Sequence, residues 1–98
     1  MSFLPLRRVI ISGASMEPKF KDGRLLIFHG PTKRIESLPG KIVLVVRDNY
    51  PGVFFIKRVK KVSSEGIWVE GDNLAASTDS RTWGYLQPHE IVGVAFRK

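Results

Sequence analysis

The sequence predicts a mostly β fold, a compact antiparallel β-sheet of barrel-like form with short helical turns. Stretches rich in β-branched and aromatic residues recur with turn residues between them, and no segment keeps the apolar spacing of an amphipathic helix over several turns. The composition, 43% hydrophobic and 26% charged, is typical of a globular chain. Because 98 residues fall within the usual size of one domain, we expect a single domain over residues 1–98.

Six strands are predicted where β-branched or aromatic residues are concentrated. In chain order they cover residues 8–12, 24–28, 41–47, 53–62, 67–70 and 91–96. Short helical turns are predicted at residues 16–20 and 88–90.

Two of the connections have the composition of hairpin turns. Residues 48–52 combine Asp, Asn, Pro and Gly, which suit turn conformations, and they join two strong strand predictions. Residues 63–66 join the next two strands, so we expect an antiparallel meander. Residues 71–88 then show little apolar periodicity and many hydrogen-bonding groups, which is typical of a long functional or flexible loop.

Charge and composition argue against several classes of function. The formal net charge is +7, but the basic residues are spread along the chain with no helix-turn-helix or zinc-finger pattern. We therefore interpret them as solvated surface charge and predict no nucleic-acid partner. The chain has no cysteine and two isolated histidines, which give no metal-ligand spacing, so neither a metal site nor a cofactor is predicted.

The hydropathy pattern predicts no transmembrane anchor. The longest apolar run is residues 42–46, whereas a spanning helix needs about 20 such residues. The N-terminus carries its arginines after a very short apolar patch (Phe3, Leu4, Leu6), the reverse of a secretory signal. We therefore expect an unanchored, cytoplasmic protein, in which the apolar patch packs on the core or contacts a membrane or a partner.

One lysine lies where a strand could bury it. Strand alternation places Phe55, Lys57 and Val59 on one face. A lysine can act as a base near neutral pH only if desolvation lowers its pKa by about three units. The segment by itself also fits a strand lysine that packs its methylene stem and extends its amine to water. Likewise, Ser15 beside Gly and Ala fits an ordinary turn serine as well as a nucleophile.

Three separated segments together favour catalytic roles for Ser15 and Lys57. They are Ser15-Met16-Glu17-Pro18, the Lys57-Arg58 pair, and the run Gly71-Asp72-Asn73-x-x-x-Ser77-x-Asp79-Ser80-Arg81-x-x-Gly84. In this order they resemble the signature of the type I signal peptidase family, and the resemblance covers most of the chain. It implies a Ser/Lys dyad with Ser15 as nucleophile, Lys57 as general base and Ser77 as the hydroxyl that orients the lysine amine.

The resemblance also implies supporting roles. Met16 and Pro18 would shape the substrate pocket and its turn, Asp72 and Asn73 would form the loop, and Asp79 and Arg81 would form a structural ion pair. The family commonly carries a Ser or Thr hydroxyl for the oxyanion two residues before the nucleophile, where this chain has Gly13. Ser12 or a backbone amide could replace that donor.

The activity implied is a serine endopeptidase that removes an N-terminal leader or propeptide from a protein precursor. In size and lack of an anchor the chain is similar to the maturation proteases of nickel-type superoxide dismutase, which suggests that precursor as a substrate. The alternative is an inactive peptidase fold that binds a protein or nucleic-acid partner through its basic surface. Gly13 and the missing Gly-x-Pro-Gly-Asp segment after Arg58 favour the alternative.

Two further alternatives have less support in the sequence. Self-cleaving repressor peptidases share the Ser/Lys dyad, but this chain has no room for their tethered cleavage segment or DNA-binding domain. A Ser/His/Asp hydrolase would need His29 or His89, and both have the surroundings of loop residues.

Overall fold

Six antiparallel strands form one sheet in the order β1-β2-β6-β3-β4-β5 in the computed structural model, which describes residues 6–30 and 32–96. The strands are β1 (Leu6–Ile10), β2 (Leu25–His29), β3 (Ile42–Val45), β4 (Phe55–Ser63), β5 (Gly66–Glu70) and β6 (Ile91–Ala95). The predicted mostly β fold is confirmed. The first strand begins and ends two residues earlier than the predicted range 8–12, because β1 ends at Ile10. The chain then turns at Gly13, whose N–H donates a hydrogen bond to Asp22. Phe3 and Leu4 of the apolar N-terminal patch lie outside the described ranges.

The helical elements are all short. One α-helix, α1, covers Ser80–Trp83, and 3-10 turns occur at Ile35–Ser37, Leu74–Ala76 and Pro88–Glu90. The predicted turn at residues 88–90 is therefore confirmed. At residues 16–20 the chain makes turns closed by a hydrogen bond from the Phe20 N–H to the Met16 carbonyl, without forming an assigned helix. In the described part of the chain, none of these helices has the length and apolar character needed to cross a membrane.

Both predicted hairpins are present. β3 pairs antiparallel with β4, which sets Val43 opposite Lys57, and β4 pairs with β5, which sets Arg58 opposite Glu70. The register shifts by one residue between Val59 and Lys61. The first half of β4, which carries Lys57, is therefore held by β3, and β5 pairs with β4 from Arg58 onward.

The sheet buries apolar side chains on both faces. Ile42 and Leu44 of β3 point into one cluster, and Val43 and Val45 point into the other, so the continuous apolar run of β3 follows from burial on both sides. Segment 11–20 covers the first face with the buried side chains Ile11, Met16 and Phe20. The second face is covered in part by Leu38 and Leu86. Because Ser15 belongs to the first covering segment, packing of that segment fixes where the serine lies.

Candidate active site

Among the residues that the structure describes, Lys57 is the only lysine or arginine that is buried. Its side chain is 4% exposed, and its Nζ donates a hydrogen bond of 2.9 Å to Ser77 Oγ. Val59, two residues along on the same face, is fully buried. The predicted face assignment of Lys57 therefore agrees with the packing, and the amine ends inside the protein next to a hydroxyl.

Burial lowers the pKa of the Lys57 amine from its ordinary value of 10.5. The nearby Asp79 carboxylate opposes this change because it favours the ammonium form, and the Arg81 guanidinium reinforces it. Desolvation is the largest of these causes. The site therefore favours the neutral amine relative to a solvent-exposed lysine.

The Ser77 hydroxyl has a defined direction. It donates to Asp79 Oδ2 at 2.7 Å and accepts from Lys57 Nζ and, at 3.1 Å, from the Gly71 N–H. An ionised carboxylate can only accept, so the hydroxyl hydrogen points toward Asp79 and the oxygen lone pairs remain for the donors. Ser77 is thereby held as an acceptor for the lysine amine.

Asp79 anchors this loop. It is 1% exposed, caps the start of α1 by accepting from the Arg81 N–H, and binds the Arg81 Nε at 2.9 Å and the Gly71 N–H at 2.9 Å. Burial alone would raise the pKa of Asp79, but the hydrogen bonds from Arg81, Gly71 and Ser77 hold that pKa well below its usual value. The Asp79–Arg81 ion pair implied by the sequence resemblance is present in the structure.

The nucleophile candidate meets this loop at Gly71. Ser15 is half-buried in a turn, and its carbonyl accepts from the Asn73 N–H at 2.7 Å. A Cβ added to Gly71 would lie 2.3 Å from Ser77 Oγ and 2.7 Å from the Ser15 carbonyl oxygen. Only a glycine therefore allows the Ser15 segment and Ser77 to approach the chain at this point.

Residues around Ser15 have clear structural roles. Met16 is fully buried in the first apolar cluster, whereas Pro18 is exposed. Gly13 has a φ of 94°, a left-handed conformation that favours glycine, and its N–H donates to Asp22 at 2.8 Å. The glycine at this position is thus explained by the turn, and Ser12 next to it is exposed.

Asp72 joins the loop to β4 through hydrogen bonds with Arg58. Both Asp72 carboxylate oxygens accept hydrogen bonds of 2.8 Å from Arg58, a bidentate pair that holds the pKa of Asp72 below its usual value. Asn73 leads into the 3-10 turn at Leu74–Ala76. An open cleft of about 460 Å³ beside these residues is lined by Glu17, Pro18, Asp72, Asn73 and Leu74.

The two histidines lie elsewhere in the chain's structure. The His29 ring, at the end of β2, contacts the Phe96 ring with centroids 5.0 Å apart. His89 is exposed in the 3-10 turn before β6. Within the described residues, neither histidine makes a hydrogen bond with Ser15.

Trp83, whose ring lies near the Lys57 amine, and the Arg47–Glu90 pair beside that ring were not predicted from the sequence. The Trp83 ring centroid is 6.0 Å from Lys57 Nζ and 4.9 Å from Arg47 Cζ, and Arg47 pairs with Glu90 at 2.6 Å. Trp83 falls inside the segment Gly71 to Gly84, which was the available signal. Arg47 and Glu90 lie outside every motif, and only the tertiary fold brings them to the site.

Acid is expected to destabilise the fold through Asp79. Because its folded-state pKa is lowered from the ordinary value of 3.8, the stability that it contributes is present above that value and is lost as the pH falls below it. We expect Asp79→Asn to lower the free energy of unfolding by about 2 kcal/mol at neutral pH and to weaken its acid dependence. Denaturant unfolding at pH values from about 7 to about 3 measures both.

Glu36→Gln provides the control, because the Arg34–Glu36 pair lies on the surface with side chains 81% and 70% exposed. It should change stability by less than about 0.5 kcal/mol. Equal acid sensitivity of Asp79→Asn and the wild type would contradict the role of Asp79.

The structure is an antiparallel β domain with a hydrogen-bonded network of Lys57, Ser77 and Asp79, and sequence comparison identifies its family. The chain belongs to the Peptidase S24-like family, whose family model matches residues 6–96. It is similar to mitochondrial inner membrane protease subunit 1 of Saccharomyces cerevisiae, with 37% identity over 66% of this chain and 38% of that protein. It is also similar to mitochondrial inner membrane protease subunit 1 of Xenopus tropicalis, with 31% identity over 86% of this chain and 62% of that protein. The chain thus spans less than two thirds of either relative's length.

Proposed function

We propose that this chain is a serine endopeptidase that uses a Ser15/Lys57 dyad to remove an N-terminal leader or propeptide from a protein precursor. The main support is the buried Lys57 amine hydrogen-bonded to Ser77 Oγ at 2.9 Å. The Peptidase S24-like membership and the protease relatives support the same reaction class.

The proposed chemistry is acyl transfer. Neutral Lys57 accepts the Ser15 hydroxyl proton as Ser15 Oγ attacks the peptide carbonyl, which forms a C–O bond and a tetrahedral oxyanion. Collapse of this intermediate breaks the C–N bond, and the Lys57 ammonium returns its proton to the departing amine. Lys57 then takes a proton from a water molecule as the water oxygen attacks the Ser15 ester carbonyl. Collapse breaks the ester C–O bond, releases the acid product, and the Lys57 ammonium returns its proton to Ser15 Oγ.

The oxyanion would be stabilised by the backbone N–H of Ser15. Gly13 carries no side-chain hydroxyl, and its own N–H already donates to Asp22. Gly13 therefore leaves the proposed oxyanion site one side-chain donor short of the family pattern, and Ser12, the adjacent residue in the sequence, is the candidate to replace that donor. A single such donor accounts for about 100- to 1000-fold in rate in other serine peptidases.

The substrate is proposed from the resemblance. A precursor with small residues next to the cut fits the signal-peptidase preference, and we propose the nickel-type superoxide dismutase precursor as one candidate from the family resemblance. The cleft lined by Glu17, Pro18 and Leu74 lies beside the Ser15 turn and could receive the chain next to the cut. The cytoplasmic location stays a prediction, and both relatives carry the inner membrane in their names.

Cleavage of a panel of precursors tests the function. The panel holds a nickel-type superoxide dismutase precursor, a mitochondrial inner-membrane precursor and a scrambled leader, and mass spectrometry locates each cut. We expect the wild type to release one N-terminal fragment from a precursor and Ser15→Ala to release none. If the folded wild type cleaves nothing but retains a precursor on a binding column, the inactive binding module is the better account.

A further inference from the structure

A second set of side chains, Arg47 and Glu90, packs around Trp83 beside the candidate site. Glu90 and Arg47 pair at 2.6 Å with only 13% and 19% of their side chains exposed. The Arg47 guanidinium carbon lies 4.9 Å from the Trp83 ring centroid, and Lys57 Nζ lies 6.0 Å from the same centroid. The contacts connect Glu90 to the candidate base through Arg47 and the indole.

Glu90 is itself fixed in place. Its Oε1 accepts from the Gln87 N–H at 2.9 Å, its Oε2 accepts from Arg47, and its carbonyl accepts from the Val46 N–H at 2.9 Å. Both carboxylate oxygens are therefore used, and the 3-10 turn before β6 is joined to the end of β3. The fixed carboxylate therefore holds the Arg47 guanidinium in its position over the Trp83 ring.

Trp83 lies next to both the Lys57 amine and a cavity of the protein. The lining of this cavity, about 390 Å³ in volume, includes Arg47, Trp83 and Glu90 but not Lys57. On the protein side the indole packs edge-on against Phe55, with ring centroids 5.1 Å apart. Loss of the indole would join this cavity to the space around the amine.

We propose that Trp83 is a positioning residue that shields the Lys57 amine from water, and that Arg47 and Glu90 hold its indole in place. This inference rests on the proposed role of Lys57 as a base. A neutral amine is favoured only while the surroundings stay dry. The charged groups that act on Lys57 are Asp79 and Arg81 at the start of α1, and Arg47 from the end of β3 lies over the same indole.

The second tryptophan offers a matched control. Lys61 Nζ lies 5.7 Å from the Trp68 ring centroid, the same kind of cation–aromatic contact, but Lys61 is exposed. Trp68 packs against Tyr85 with centroids 5.0 Å apart, on β5. Removing Trp68 therefore removes a comparable aromatic contact without opening the buried amine to water.

The experiment measures Lys57 ionisation in two ways for the wild type, Trp83→Ala, Trp83→Phe, Arg47→Gln and Trp68→Ala. One is the pH dependence of kcat/KM, and the other is the pH dependence of Lys57 acetylation by a limiting anhydride, read by peptide mass spectrometry. The acetylation readout needs no activity. If no substrate is cleaved while acetylation still shows the shifts, the proposed function fails and the positioning role stands.

We expect Trp83→Ala to raise the Lys57 midpoint by about one pH unit, which lowers the neutral fraction at neutral pH about tenfold. Arg47→Gln should raise it by a smaller amount, and Trp83→Phe should keep it near the wild type. An unchanged midpoint in folded Trp83→Ala, or an equal shift in Trp68→Ala, overturns the proposal. If Trp83→Ala does not fold, Arg47→Gln carries the test, and an unchanged Lys57 midpoint in that variant overturns the proposal.

Discussion

Replacing Lys57 with Met is expected to abolish cleavage while the fold remains as stable as the wild type or becomes more stable. Methionine has a similar length and no ionisable group, so Ser15 loses its base, and we expect the rate to fall at least about a thousandfold. The buried ammonium is destabilised in the folded state because its pKa is lowered. That cost is present below the folded-state pKa and disappears as the pH rises through 10.5, and Lys57→Met removes it at neutral pH.

Cleavage kinetics and thermal unfolding of the same samples check both parts. Lys60→Met is the matched control, because Lys60 lies on the same strand and is exposed. It should keep the wild-type rate. A Lys57→Met protein that is folded and cleaves at the wild-type rate would rule out Lys57 as the base, and strong destabilisation would show that the amine holds the fold.

Replacing Gly71 with Ala is expected to damage the site by steric clash. The new methyl group would stand 2.3 Å from Ser77 Oγ and 2.7 Å from the Ser15 carbonyl oxygen, so the two segments must separate. Displacement by about 1 Å at a reacting site can cost about a hundredfold in rate, and we expect at least that loss in kcat. Overpacking should also lower the free energy of unfolding by about 1–3 kcal/mol.

Gly93→Ala distinguishes damage to the site from general crowding. A Cβ there would lie 3.1 Å from Phe28 Cβ and 3.2 Å from the His29 carbonyl oxygen, within the sheet. We expect it to lower stability with little change in the kcat of the folded fraction. An equal fall in kcat for both variants would mean that Gly71 has no special relation to Ser15 and Ser77.

The sequence predicted the part of the site that depends on local pattern. Alternation along β4 placed Lys57 on the face of Phe55 and Val59, and the two hairpins that hold β4 follow from turn residues at 48–52 and 63–66. The six strands were predicted from their content of β-branched and aromatic residues. Helix α1 was not, because a four-residue helix capped by Asp79 has no apolar period of its own.

Long-range contacts account for what the sequence left open. β6 inserts between β2 and β3, and no local pattern encodes that order. Arg47 and Glu90 are 43 residues apart and meet only in the folded chain. The direction of the Ser77 hydroxyl depends on Asp79 being buried and ionised, which residue spacing does not reveal. The positive φ of Gly13, by contrast, fits the turn propensity that its residue type suggests.

The central claim is that Lys57 is the base that activates Ser15, and the pH dependence of kcat/KM tests it most directly. This dependence reports the ionisation of the free enzyme, so its rising limb should coincide with the Lys57 midpoint measured by acetylation. We predict one shared midpoint below 10.5, a matching midpoint for Lys57 acetylation in Ser15→Ala, and no cleavage by Ser15→Ala. A rate that rises at a pH unrelated to Lys57 ionisation, or undiminished cleavage by Ser15→Ala, would contradict the dyad.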